Sequence, residues 1–310
     1  MSNLKEIISA LPHTHGVYFF FNKYGKIIYI GKSKNLKNRV SSYFHKKNED
    51  VPERTKEMIY SISDIKFKTF KTELEALLAE DELIKKHKTE YNIKQKEFND
   101  YVYLSISADL YPALNSVKDD SLSSEIYGPF RNKLFIEELR RMFCKVLGTA
   151  VCENPNRERG CIQSEIGNCS GPCLERISSE DYTSDINIIR SFLQGDAKGI
   201  EAKADRMIKY LSADLKFEEA AEILKLKNFF VKFAERQKFI NDFITKNLII
   251  HSEVSFAFEK GVLKKVRKKP ITSDIFISQA EEPKDLLKYL DKALVVLFWI
   301  NKSKSVYKFY

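Results

Sequence analysis

An α+β fold, divided into more than one domain, follows from three features of the 310-residue sequence. Short β-rich runs alternate with helix-period segments in its N-terminal third. A proline-free helical stretch occupies residues 186–241. With 43% hydrophobic residues, the chain has enough apolar material to bury sizeable cores, which excludes disorder as its main state.

The elements read in order. Gly16 to Phe21 and Lys26 to Gly31 are apolar strand-like runs, and Asn22-Lys23-Tyr24-Gly25 between them is a hairpin connection ending in glycine. A helix is predicted next, with Ser33 as its N-cap and Leu36, Val40 and Phe44 as its buried stripe. Ile65, Phe67 and Thr69 alternate as a third strand. Thr72 to His87 reads as a helix burying Leu74, Leu77, Leu78 and Ile84. These elements define a small α/β domain over residues 12–95. Residues 96–185 follow as a linker and cysteine-rich region, with strands at Tyr101 to Ser107 and Ile126 to Tyr127, a Gly128-Pro129 turn and a helix near Phe135 to Cys144. Residues 186–241 are expected to form a helical hairpin broken near Ala213 to Lys216. Residues 245–310 read as a small α/β appendage: strands Leu248 to Phe258 and Ile271 to Ile277, a basic turn from Lys264 to Lys269, and an amphipathic helix.

Composition removes several classes of function. The longest uncharged apolar run, Ala293 to Ile300, is far shorter than the roughly 18 residues of a membrane span, so no membrane association is expected. Lys5 and Glu6 interrupt the place where a signal sequence would have its apolar core, so a cytoplasmic protein is expected. Five cysteines are an odd number for a disulfide framework and suit a metal or cluster site better. The net charge of +9 favours a polyanionic partner.

Candidate chemistry concentrates at the N-terminus. Strand alternation puts Tyr18 on the side opposite Val17 and Phe19, and Tyr29 with Gly31 opposite Ile28 and Ile30. Arg39 and Tyr43 lie one helical turn apart and can face the sheet. Between Lys23 and Lys47 there are eight basic residues and no acidic one. Phosphodiester hydrolysis needs a base for water, a cation for the phosphoryl oxygens and usually a divalent ion. Tyr18 or Tyr29 can act as base if cations such as Lys32 depress its pKa, and Glu75 is the candidate ligand for magnesium (or manganese), which takes few protein ligands. Gly31 would let a phosphate approach the backbone.

The second constellation is Cys152, Cys161, Cys169 and Cys173 among Gly160, Gly167, Gly171 and Pro172. Its spacing admits structural zinc or an iron-sulfur cluster. Cys144 stands outside it on a helix and reads as a packing residue.

Gly16-Val17-Tyr18 with Tyr29-Ile30-Gly31, then Lys32, Arg39, Tyr43 and Glu75, resembles the GIY-YIG nuclease domain of the UvrC family of excision repair nucleases. The resemblance implies catalytic roles for Tyr18, Tyr29, Lys32, Arg39 and Tyr43, metal binding by Glu75, and a further catalytic candidate, Asn92 in Tyr91-Asn92. The cysteine stretch is similar to the family's [4Fe-4S] site. Helical spacing alone makes 186–241 an ordinary antiparallel pair, but Leu215-Lys216-Phe217-Glu218-Glu219-Ala220-Ala221 resembles the UVR motif through which family members bind UvrB, implying a partner surface at Phe217, Ala220 and Ala221. Family members continue into an RNase H-like nuclease and helix-hairpin-helix repeats, which the last 60 or so residues here cannot hold, so the short, Cho-like form is expected. The implied activity is nicking of damaged double-stranded DNA 3′ of a lesion, after UvrA and UvrB. Alternatives are a GIY-YIG nuclease of mobile-element or restriction type, and a non-catalytic DNA-binding repair scaffold.

Overall fold

The computed structural model describes residues 2–45, 51–92, 102–118, 125–130, 132–157, 159–165, 169–268, 270 and 286–310. The chain divides into two compact units: 1–98 together with 242–310, and 99–241.

In the first unit, a helix α1 (Ser2–Ala10) precedes the hairpin β1 (Gly16–Phe21) and β2 (Ile27–Ser33). Helices α2 (Leu36–His45) and α3 (Glu53–Ser61) lead to β3 (Asp64–Thr69) and α4 (Glu73–His87). The antiparallel sheet has the order β2-β1-β3, with Tyr18 opposite Gly31 and Phe20 opposite Tyr29. Because side chains alternate, β1 is apolar on both sides and each side is covered. Val17 and Ile30 pack on Ala76 and Ile84 of α4, while Tyr18, Phe20 and Ile28 pack with Leu36, Val40 and Met58 of α2 and α3.

The α2 cap differs from expectation. Asn35 accepts from the Asn38 N–H at 3.0 Å, and Ser33 belongs to β2, where its hydroxyl and the Asn35 backbone bond each other. Helix α3 was not expected, because its segment is of mixed polarity and lacks a clean apolar stripe.

The second unit holds the sheet β5-β4-β6, made of β4 (Val102–Ile106), β5 (Leu114–Val117) and β6 (Ile126–Phe130). Gly128-Pro129, expected as a turn, lies inside β6. This is an edge strand, where a residue without an N–H is tolerated. Helix α5 (Lys133–Leu147), a short α6 (Ile162–Glu165), α7 (Ser179–Leu193), α8 (Lys198–Ala213) and α9 (Phe217–Thr245) follow. Phe143 of α5, Phe192 of α7 and Phe230 of α9 join in one aromatic core at 5.3–5.5 Å between ring centres. The expected hairpin is thus a three-helix arrangement. Its break at Leu215, in the left-handed region at φ 59°, falls where expected, but α7 starts earlier, capped by Ser178.

The C-terminal part of the first unit is a sheet of order β10-β7-β8-β9 carrying a helix. β7 (Asn247–His251) and β8 (Ser255–Glu259) are a hairpin where one long strand was expected. The basic stretch expected as a turn is mostly the edge strand β9 (Val262–Arg267), where lysines discourage further pairing. Helix α10 (Leu286–Ser303) and β10 (Val306–Phe309) complete it. The strand expected at Ile271 to Ile277 lies outside the described residues. Helix α10 packs on α4, with Lys85 held between Asp81 at 2.6 Å and Asp291 at 3.0 Å. The appendage is therefore docked on the domain that carries the candidate site. Among the described residues no helix is long and apolar enough to cross a membrane.

Candidate active site

The hairpin and α2 bring together the tyrosines and the arginine. The hydroxyls of Tyr18 and Tyr43 are hydrogen-bonded at 2.9 Å, and the rings of Tyr18, Tyr29 and Tyr43 lie 6.1–6.3 Å apart. The guanidinium of Arg39 sits 5.0 Å from the Tyr43 ring centre, as the one-turn spacing requires.

Tyr18 is 1% exposed and cannot reach a substrate, whereas Tyr29 and Tyr43 line an open cleft of about 470 Å³ with Arg39, Arg54, Met58 and Tyr91. Arg54 is fixed there by a 2.9 Å bond to the Glu90 carbonyl and lies over Tyr91. Helix α3 supplies this wall, so the residues that sequence reasoning missed are Arg54 and Met58.

The expectation of a lowered tyrosine pKa fails. Burial, followed by repulsion from Tyr43, pushes both Tyr18 and Tyr29 well up, with Arg39 only partly offsetting it. The ammonium of Lys32 lies 3.2 Å from Glu73. Arg39 in turn keeps its charge: burial opposes it, but Tyr18 and Tyr43 leave its pKa raised.

Glu75 does not stand where its expected role needs it. Its carboxylate accepts from the Thr72 hydroxyl at 2.9 Å, and its N–H donates to the oxygen of that hydroxyl, closing the first turn of α4. The carboxylate that meets the cluster is Glu80, on the stripe of α4 facing β2. It accepts from the Lys32 backbone N–H at 2.8 Å, and its charge acts on Tyr29. Burial raises its pKa, and the Lys32 N–H, the Lys32 ammonium and Arg39 offset this in part. Helical phase could have found it. Glu80 is seven residues from Glu73, which bonds the Lys32 side chain, while Glu75 is rotated about 200° from Glu73.

Gly31 has a different reason from the one expected. A Cβ there would lie 2.4 Å from the Tyr18 hydroxyl, so the space over its backbone holds Tyr18 and no phosphate. Asn92 stands at the edge of β2 and does not line the cleft. It is buried, donates to the Ile30 carbonyl at 2.8 Å and accepts from the Ile30 N–H at 2.8 Å and the Thr89 hydroxyl at 2.6 Å. With the Tyr91 N–H on the Ile28 carbonyl and Glu80 on Lys32, it seals the outer edge of β2 and positions that strand.

Cys152, Cys161, Cys169 and Cys173 gather around the guanidinium of Arg157, which interacts with each. Among the described residues no three potential ligands form a metal-binding group. Cys144 is not apart from them. Its thiol donates to Cys169, whose pKa falls to about 6 chiefly through that bond. In the hairpin, Phe217 is 62% exposed and Ala221 is exposed, but Ala220 is 6% exposed and packs in the core of its own unit, which removes it from any partner surface.

The profile of the UvrC-like GIY-YIG domain matches residues 14–93, and that of the UvrC/Cho excinuclease middle domain matches 101–192. The chain belongs to the UvrC-type family of GIY-YIG proteins. UvrABC system protein C of Acinetobacter baumannii is 37% identical over 224 residues, 70% of this chain and 37% of the relative. That of Methanococcus maripaludis is 34% identical over 235 residues, 76% of this chain and 44% of the relative. The chain thus spans less than half the length of these relatives. The N-terminal endonuclease domain of UvrC from Thermotoga maritima, solved with magnesium, is 33% identical and covers 30% of this chain and 99% of that one, with a TM-score of 0.27.

Proposed function

We propose that this UvrC-type chain is a DNA endonuclease of nucleotide excision repair that nicks the damaged strand on the 3′ side of a lesion by metal-dependent phosphodiester hydrolysis. The observation that carries the reading is the meeting of Arg39, Tyr29 and Tyr43 on one open cleft, with Glu80 behind them, held by the Lys32 backbone N–H and acting by its charge on Tyr29. A single half-buried carboxylate is the donor set that suits a hard divalent ion such as magnesium or manganese, which keeps most of its waters. Glu80 would hold that ion, which when bound supplies Lewis-acid stabilisation of charge on the phosphoryl oxygens. Arg39 and Lys32 bind and orient the phosphodiester. Tyr29, kept neutral by its burial, and Tyr43 offer hydroxyls that orient water or a phosphoryl oxygen. Tyr18 positions Tyr43 from beneath.

The partners follow from the same family reading: damaged duplex delivered by UvrB after UvrA, in the cytoplasm with the DNA. The exposed tip around Phe217 and Ala221 supports UvrB docking. The four cysteines, whose number and family resemblance suit a thiolate-held centre, an iron-sulfur cluster or zinc, do not stand as one ligand group among the described residues, so that centre is the further reading to be tested. A brown, iron-containing protein after anaerobic purification supports the cluster, and a colourless one with stoichiometric zinc replaces it.

The test is incision of a duplex with one defined lesion, labelled in turn at each end of the damaged strand, with and without UvrA and UvrB. The expected result is one nick 3′ of the lesion that needs magnesium and is lost in excess chelator. Full activity in chelator, or no nick with all partners present, overturns the reading.

A further inference from the structure

The appendage formed by residues 242–310 meets the nuclease domain at an unusual point of charge. Glu73, the first residue of α4, receives three ammonium groups: Lys32 at 3.2 Å, Lys34 at 3.0 Å and Lys302 at 3.0 Å. Lys32 comes from β2, Lys34 from the connection to α2, and Lys302 from the last turn of α10. Lys32 and Lys302 share one carboxylate oxygen, so they are close neighbours.

One carboxylate balances one ammonium. Glu80 also acts on the Lys32 ammonium, yet three ammonium groups against these two carboxylates still leave positive charge in excess, and gathering like charges is unfavourable unless an anion completes the group. The lysines are not sealed away: the side chains of Lys34 and Lys302 are 58% and 44% exposed, and each ammonium carries three donors. Beside them the ring of Phe298 is 59% exposed, with the Lys302 ammonium over it. Cations next to an exposed ring are the pairing that holds a nucleic acid strand, charge for phosphate and ring for base. The cluster adjoins the candidate site through Lys32, whose backbone holds Glu80.

We propose that Lys34 and Lys302, with Lys32, form a second phosphate-binding site, made in part by the C-terminal appendage, that grips a backbone phosphate of the DNA strand next to the one being cut. This inference rests on the nuclease reading and deepens it. It gives the appendage a role: helix α10, fixed on α4 by the Asp291–Lys85 pair, delivers Lys302 to the strand's path.

The experiment measures binding of a fluorescein-labelled duplex by the full chain across a range of salt concentrations, with every variant in a Glu80→Gln background so that no cutting occurs. Removing one lysine that neutralises a phosphate should lower the slope of log affinity against log salt by about 0.9. Lys302→Gln and Lys34→Gln should each do so, with weaker binding at low salt, while Lys302→Arg keeps the slope. Glu73→Gln frees a cation and should steepen it, which a merely structural role for the cluster would not do. Unchanged slopes in both lysine variants, with thermal unfolding intact, overturn the proposal. Nicking by the Glu80 parent chain tells the two failures apart: a chain that nicks but shows unmoved slopes loses this site alone, and one that never nicks loses the nuclease reading.

Discussion

The carboxylate of Glu80 and the backbone N–H of Lys32 are joined by a 2.8 Å hydrogen bond. One bond therefore fixes the acid that faces the tyrosine cluster and also satisfies an outward N–H of the edge strand β2. Glu75, five residues earlier, spends its carboxylate on Thr72 at the start of α4.

The two glutamates should separate cleanly. Glu80→Gln keeps an acceptor for Lys32 but removes the charge, and nicking should fall by about two to three orders of magnitude, since a bound metal contributes several kcal/mol of charge stabilisation. DNA affinity should stay near that of the parent. Glu75→Gln loses part of a helix-end interaction, about 1 kcal/mol or less, and should nick normally. Single-turnover nicking of a labelled duplex decides between them, and the reverse pattern would return the metal to Glu75.

Gly31 gives a steric prediction. The Tyr18 hydroxyl and its ring carbon lie 2.4 and 2.5 Å from where an alanine Cβ would stand, and both strands are fixed by the sheet. Gly31→Ala must displace Tyr18 and with it the 2.9 Å bond to Tyr43. Overpacking of this kind costs about 1–3 kcal/mol, so thermal unfolding should shift down and nicking should drop with it. An unchanged melting temperature with full activity would show that Tyr18 is free to move.

Much of this site was legible because local pattern encodes it. The hairpin, the alternation that sorts Tyr18 from Val17, and the one-turn spacing of Arg39 and Tyr43 are all short-range. Glu80 was missed because four glutamates, Glu73, Glu75, Glu80 and Glu82, lie in one helical segment and only the phase of α4 against β2 separates them. The hold of Asn92 on the edge of β2 was not foreseen because a buried amide bonding a strand edge leaves no signature in sequence. The cleft wall was missed because α3, with Arg54 and Met58, has no strong apolar stripe. The docking of the appendage rests on Asp291 with Lys85 and Lys302 with Glu73, pairs far apart in the chain that no periodicity announces.

Acid should weaken the fold through Glu73. Burial alone would raise its pKa, but hydrogen bonds from Lys34, Lys302 and Lys32 bring it from 4.5 to about 2. The folded chain therefore holds fewer protons than the unfolded chain in this range, and the Glu73 contribution is complete above pH 4.5 and lost as pH falls toward 2. The groups paired with it, from β2, the β2–α2 connection and α10, are all lysines. Glu73→Gln should lose stability less steeply than the parent across this window in denaturant titrations. Parallel curves would show that the three lysines do not hold Glu73 ionised in solution.

The hairpin tip separates surface from core within one motif. Leu215, Phe217 and Leu224 are 75%, 62% and 47% exposed, whereas Ala220 and Ile223 are 6% and 1% exposed and pack inward. A charge at Phe217 meets water, so Phe217→Asp should leave stability within about 0.5 kcal/mol, as surface changes usually do. If the tip docks on UvrB, the same change places an unpaired carboxylate in an apolar interface and should weaken binding by about 2 kcal/mol or more, the scale of an interface hot spot. Ala220→Asp puts its charge in the chain's own core and should unfold the hairpin before any partner is added. Calorimetric titration with purified UvrB, beside thermal unfolding of both variants, reads these effects separately. Undiminished UvrB affinity in Phe217→Asp would move the partner surface away from the tip, and a folded Ala220→Asp would mean that the α8–α9 packing is looser than its burial implies.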